Sequence, residues 1–240
     1  MVQTHWLSSA ATHCGAVRNM NEDAFLNRNN DGLWAVADGM GGHEAGEVAS
    51  EMIANSLGSA NLEQPLADVV DSLEDTLLEV HHKIRAYART HCEGRTMGST
   101  VVSMFVRESV GVCLWAGDSR LYRFRNNCLE CISEDHSQVN EMLSRGMITE
   151  EEAKNHPASN VITRAVGASE TLYVDVTLFQ LQPGDLYLLC SDGLYGAITE
   201  EEIAGYLNGA SVEAVTEKLI ESSLEAGARD NVTVIAVQMQ

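Results

Sequence analysis

The chain is poor in proline, with only Pro65, Pro157 and Pro183 among 240 residues, and no low-complexity stretch interrupts it. Nothing therefore reads as a linker, and the length suits one large domain or two small ones. Basic residues are scarce: 15 Lys and Arg face 35 Asp and Glu, a net charge of −20 at pH 7. A surface so acidic excludes nucleic acid or an anionic membrane as the main partner, since both require a basic face. It suits cations instead, because carboxylates are the hard oxygen ligands of Mg²⁺ and Mn²⁺. No apolar run approaches the roughly 18–20 residues that span a bilayer. The segment Met1–Ala11 lacks the basic start and apolar stretch of an export signal. Six scattered cysteines (Cys14, Cys92, Cys113, Cys128, Cys131 and Cys190), several of them inside apolar runs, read as free thiols of a cytoplasmic protein.

What the sequence does contain is regular. Ala45, Val48, Ala49, Met52, Ile53 and Leu57 follow helical spacing, as do Leu66, Val69, Val70, Leu73, Leu77, Val80, Ile84 and Tyr87. Val212, Val215 and Leu219 mark a third helix. The phrase Ile-Thr-Glu-Glu-Glu occurs at 148–152 and again at 198–202, each time with the spacing of a capping box that starts a helix. His81 and His82 on the long helix point in different directions and read as surface residues. Short runs rich in Val, Leu, Tyr and Trp predict strands at 2–10, 23–28, 32–38, 99–106, 110–117, 120–125, 171–179, 185–191 and 231–238. Asn126-Asn127 reads as a turn, with Cys128 and Cys131 on the hairpin that follows. Strands cluster with strands and long helices with each other, which favours α+β layers of antiparallel sheets. The polar segment 133–170, with an expected pair of short helices, reads as a flap inserted over a site.

The aspartates carry the functional signal. The apolar run Leu33–Ala37 ends in Asp38-Gly39, Val112–Ala116 in Gly117-Asp118, and Leu186–Cys190 in Ser191-Asp192-Gly193, while Asp230-Asn231 precedes the run Val232–Val237. In antiparallel sheets one strand's end lies beside its neighbour's start, so these carboxylates can meet at one rim. Clustered carboxylates repel in a low dielectric unless a cation neutralises them, and an all-oxygen donor set points to Mg²⁺ or Mn²⁺. Upstream, Arg18 offers a planar guanidinium suited to phosphate oxygens, with Glu22 and Asp23 close by in sequence.

Together these residues resemble the metal-dependent protein phosphatase family (PPM, the type 2C serine/threonine phosphatases) in its bacterial single-domain form. The carriers are Arg18-x-x-Asn-Glu-Asp23, Ala37-Asp-Gly-Met-Gly-Gly-His43, Met97-Gly-Ser-Thr-Val101, Ala116-Gly-Asp-Ser-Arg120, Glu134-Asp-His-Ser137, Cys190-Ser-Asp-Gly-Leu194 and Ala228-Arg-Asp-Asn-Val-Thr233, which span nearly the whole chain. The resemblance implies a four-layer α-β-β-α sandwich, one catalytic domain over 1–240 with 133–170 as its flap subdomain. It implies that Asp38 bridges two Mn²⁺ or Mg²⁺ ions, that the Gly39 carbonyl ligates one, and that Asp192 and Asp230 ligate the other. Asp118 with Asp192 matches a third, weaker cation site, Glu22 and Asp23 match residues that hold metal-bound waters, and Asn231 is expected to orient Asp230. Arg18 matches the phosphate-binding arginine. The implied reaction is in-line attack on phosphoserine or phosphothreonine by a metal-bridging hydroxide, without a phosphoenzyme.

One departure concerns proton transfer. The position after Asp38-Gly39, a histidine in many eukaryotic members, is Met40, and His43 is the remaining candidate for substrate contact or acid catalysis. A cysteine phosphatase would need Cys-x₅-Arg, whereas Cys113 and Arg120 are separated by six residues. The lone Cys128-x-x-Cys131 lacks a second ligand pair for zinc. A non-catalytic phosphoprotein-binding module and a phosphatase of small phosphoesters stand as alternatives. The expected partners are phosphorylated Ser/Thr proteins and a cognate kinase, the expected state a monomer. Acidic phosphopeptides are expected to be disfavoured unless Arg145, Lys154 and Arg164 line the flap.

Overall fold

The computed structural model describes residues 6–42, 44–92, 95–153, 156–158 and 161–239. One sheet is built from β1 (Trp6–His13), β7 (Arg120–Arg125), β8 (Cys128–Cys131), β10 (Leu186–Cys190) and β11 (Val232–Met239), in the order β1-β11-β10-β7-β8. The other contains β2 (Asp23–Arg28), β3 (Leu33–Met40), β5 (Val101–Arg107), β6 (Val110–Ala116) and β9 (Asp175–Gln180), in the order β2-β3-β5-β6-β9, and short β4 (Gly98–Ser99) pairs with the end of β3. Every strand pairing is antiparallel.

Period-two patterning assembles the layers. On β3, Leu33, Ala35 and Ala37 face the helices α1 (Ala45–Gly58) and α2 (Leu66–His91), where Ile53, Leu73, Leu77 and Ile84 meet them. Trp34 and Val36 face the other way, into a second core shared with Leu121, Tyr187, Leu189, Ile235 and Val237 of the opposite sheet. That sheet's outer side, with Leu188, Val232 and Val234, is covered by α5 (Asp192–Tyr195), α6 (Glu200–Leu207) and α7 (Val212–Glu225). The result is the expected four-layer α-β-β-α sandwich.

Both predicted capping boxes form. In each, the threonine hydroxyl accepts from the glutamate N–H at 3.3 Å and the glutamate Oε2 accepts from the threonine N–H at 2.8 Å, at Thr149–Glu152 before α4 (Glu150–Ala153) and at Thr199–Glu202 before α6. The Asn126-Asn127 turn is also present, both residues having positive φ, at 52° and 60°.

Several boundaries differ from expectation. β1 covers Trp6–His13 and so ends three residues past the expected 10, while residues 2–5 of that expectation lie outside the described residues. β9 begins at Asp175, not 171: before it the Thr171 carbonyl accepts from Ser169 Oγ at 2.6 Å and the Tyr173 carbonyl from Arg164 Nη1 at 3.4 Å, so these groups are engaged outside the ladder. Directly after the predicted strand 185–191, Asp192–Tyr195 forms a short helix not expected from the sequence. His81 is no surface residue: it is 1% exposed, and its Nδ1 accepts from the Gly167 N–H at 2.9 Å. The flap segment holds α3 (Gln138–Ser144) and α4, the former capped by the Ser137 hydroxyl.

Candidate metal centre

The β2–β3 ladder sets Asp23 directly opposite Asp38. β3 then continues through Gly39, whose N–H donates to the Glu22 carbonyl at 3.1 Å. A Cβ on Gly39 would collide with the carbonyl oxygens of Glu22 and Gly46, so only glycine lets α1 seat against the strand here. Across the sandwich, β10 delivers Asp192 at the start of α5. A Cβ on Gly193 would strike the Asn231 carbonyl, so glycine is what brings Asp192 up to the Asp230-Asn231 corner. Asp118 follows the end of β6 and is buried.

The rim is electrostatically strained. Burial pushes Asp38 well above the carboxylate range, and the charges of Asp23, Asp192, Asp118 and Asp230 push it further. Burial raises Asp23 to about 7, although its Oδ2 accepts from Thr233 Oγ1 at 2.6 Å and Ser191 Oγ at 2.8 Å. Asp118 is likewise raised to about 7 by burial, then by Asp192 and Asp135. Burial and the charge of Asp230 raise Asp192, and burial raises Glu22. Glu22 Oε1, Asp23 Oδ1 and Asp192 Oδ1 are buried without any hydrogen-bond donor.

Buried carboxylate oxygens without donors, massed with their charges opposed by Arg18 and Arg120, fit a hard divalent cation in donor chemistry. Among the described residues no three His, Cys, Asp or Glu side chains close a cage by themselves. One reason is visible: Asp230 Oδ2 is turned to Arg18, accepting from Nη2 at 2.7 Å. Arg18 is half exposed at this position. A divalent ion at this rim would need oxygen donors besides these side chains, and an Asp230 oxygen released from Arg18 would be one of them.

Asn231 does something other than orient the Asp230 carboxylate with its side chain. Its Oδ1 accepts from the Glu22 N–H at 2.7 Å, and its Nδ2 donates to the carbonyls of Met20 at 2.8 Å and Cys14 at 3.1 Å. It thus clamps the loop that carries Arg18, and only its backbone N–H reaches Asp230, at 2.9 Å from Oδ1. Thr100 was missed as a site residue: its N–H donates to the Asp38 carbonyl at 2.9 Å and its Oγ1 accepts from the Asp38 N–H at 3.1 Å. The signal lay in the Met97–Val101 phrase, which carries no charge to draw attention to it.

Beside the rim an open groove of about 980 Å³ separates Val139 and Leu143 of α3 from Tyr195, Glu200 and Arg229. Arg145 pairs with Glu141 and Arg164 with Asp175, and neither lines this groove. Lys154 and His43 lie outside the described residues.

Layered fold, acidic rim and adjoining arginine define a metal-dependent phosphohydrolase. The profile of the family Protein phosphatase 2C matches residues 12–232. The serine/threonine phosphatase stp of Listeria monocytogenes is 38% identical over 237 residues, covering 95% of this chain and 93% of that protein. PppA of Pseudomonas aeruginosa, described as a key regulatory component of its T6SS, superposes with a TM-score of 0.91 at 39% identity, over 99% of this chain and 100% of that one. The catalytic domain of the serine threonine protein phosphatase PstP, solved in complex with 2 manganese ions, superposes with a TM-score of 0.88 at 32% identity, over 99% of each chain. The chain belongs to the protein phosphatase 2C family and is a phosphatase.

Proposed function

We propose that this phosphatase hydrolyses phosphoserine and phosphothreonine in proteins, opposing a cognate Ser/Thr kinase, as a cytoplasmic monomer. The relatives' names support the substrate class. No helix among the described residues is long and apolar enough to cross a membrane. The observation that carries the reading is the gathering of Asp38, Asp118, Asp192 and Asp230 charges beside Arg18, with buried carboxylate oxygens lacking donors.

In this reading Asp38, the Gly39 carbonyl, Asp192 and Asp230 hold two Mn²⁺ or Mg²⁺ ions. Glu22 and Asp23 order water around them, and Asp118 with Asp192 holds a third, weaker ion. When bound, the cations acidify water and neutralise charge developing at the phosphoryl group. Arg18 supplies the fork that grips two phosphoryl oxygens and fixes the group for in-line attack. Asp230 is its partner in the absence of other ligands. Were Asp230 to ligate a cation instead, the Arg18 fork would be freed for phosphate, which would couple the two binding events positively. Asn231 holds the Arg18 loop in place through Glu22, Met20 and Cys14. Met40 has no proton to give, so His43 or solvent protonates the leaving alkoxide.

The test is phosphate release from a phosphothreonine peptide with Mn²⁺, with Mg²⁺ and with EDTA, alongside Asp192→Ala. Turnover is expected with the cations, and it should vanish with EDTA. Asp192→Ala should lower it by more than the about 100-fold typical of losing an outer-shell partner. Turnover that survives both EDTA and Asp192→Ala rejects the assignment.

A further inference from the structure

Arg120 lies two residues past Asp118, at the start of β7, and four side chains converge on it. Its Nε and Nη2 donate to the two oxygens of Asp135 at 2.9 and 2.7 Å, a bidentate pair. Its Nη1 donates to Tyr122 Oη at 2.7 Å and to Glu200 Oε1 at 3.2 Å. Its guanidinium stacks on the Tyr195 ring, 3.7 Å from the centroid. The Tyr195 hydroxyl donates to the Asp118 carbonyl at 3.0 Å, closing a loop back to where Arg120 starts.

Each partner belongs to a different part of the site. Asp135 is among the first residues of the flap segment. Tyr195 lies on α5, which begins with Asp192, so its ring and the Asp192 carboxylate ride on the same single turn. Glu200 opens α6 behind the capping box. Asp135, Glu200 and Tyr195 also line the groove beside the rim. The Arg120 side chain is only 21% exposed. A purely stabilising ion pair would need one partner. Here one planar, many-donor group links the flap's first residues, the Asp118 turn and the Asp192 helix, a geometry that a lysine point charge does not reproduce.

We propose that Arg120 is a positioning residue, which fixes the base of the flap to Asp118 and Asp192 so that flap and weaker cation site form one unit. This rests on the reading of Asp118 and Asp192 as cation ligands. Arg120 donates to Asp135, Tyr122 and Glu200 and not to the Asp118 or Asp192 carboxylates; it acts through Tyr195, whose hydroxyl holds the Asp118 carbonyl. A cation bound between the two carboxylates is then held at a spacing that the flap's first residues help to set.

The experiment is calorimetric titration of Mn²⁺ into the full chain, with melting temperature recorded for each protein. Asp118→Asn identifies the binding step that involves Asp118. Arg120→Lys keeps the charge but loses fork and stack, and should weaken that same step by about tenfold while leaving the tighter steps in place. Tyr195→Phe keeps the ring over Arg120 but drops the bond to Asp118, and should weaken the same step less. If Arg120→Lys lowers the melting temperature but leaves the Asp118-dependent step unchanged, Arg120 is only structural and the proposal fails. If Asp118→Asn alters no binding step, the reading of Asp118 as a ligand fails, and the proposal falls with it. Should Arg120→Lys not fold, an unchanged step in Tyr195→Phe is the overturning result.

Discussion

His136 Nδ1 accepts a hydrogen bond from the Gly117 N–H at 3.1 Å, immediately before Asp118 in the chain. The reverse contact is also made, His136 N–H donating to the Gly117 carbonyl at 2.9 Å. An Nδ1 that accepts carries no proton, so the ring is neutral with its hydrogen on Nε2, toward Asp175 Oδ2 at 3.2 Å. The ring also lies parallel to Trp115, at 5.9 Å between centroids.

Acid should therefore loosen this joint. Burial lowers the His136 pKa from its ordinary 6.5, and the Arg164 charge adds to this, outweighing the opposite pull of Asp175 and Asp135. A histidine with a depressed pKa leaves the unfolded chain the better proton binder, so its stabilisation is complete above 6.5 and fades as pH falls below that value. Melting curves from pH 8 to 5 should show this loss. His136→Gln, which cannot charge, should flatten that part of the profile; an unchanged slope would remove His136 as its source.

The acidic rim should behave in the opposite sense once divalent ions are stripped. Asp23 and Asp118 are raised from 3.8 to about 7, so the folded chain is the better proton binder at these sites. Their protonated form favours folding at low pH, and that advantage is lost as pH rises from 3.8 toward 7. Mn²⁺ replaces the protons. Its addition to EDTA-treated protein should raise the melting temperature more at pH 8 than at pH 5. An equal rise at both values would contradict the rim as the place of binding.

Gly193→Ala tests the close approach of α5 to β11. The added methyl meets the Asn231 carbonyl, a backbone atom that cannot turn aside, so Asp192 must move away from Asp230. Mn²⁺ affinity should fall by about tenfold or more, while the helix gains from the better propensity of alanine. Unaltered Mn²⁺ affinity would show that this approach does not set the ligand spacing.

The rim aspartates were legible because each abuts an apolar run that has to be a buried strand, and strand ends in antiparallel sheets share edges. The capping boxes at Thr149 and Thr199 were legible because both partners lie within one turn. What escaped depends on long-range approach. Asp192-Gly193 has the composition of a turn, and only the seating against Asn231 makes it open a helix. His81 was misread because adjacency on a helix says which way a side chain points, not what covers it; the cover is Gly167, 86 residues away. Asn231 was credited to its neighbour Asp230, yet its side chain reaches Glu22, Met20 and Cys14, more than 200 residues upstream.

The carboxylates come from both halves of the sandwich. Asp23 and Asp38 belong to strands β2 and β3 of one sheet and Asp118 follows the end of its β6, whereas Asp192 and Asp230 adjoin β10 and β11 of the other. The thickness of the apolar filling between sheets is thus the ruler for the gap between the two sets of carboxylates. Trp34, Tyr187 and Leu189, which never approach a cation, hold that calibration. A change in their bulk would alter the spacing of the two sets of carboxylates from within, without touching any of those carboxylates.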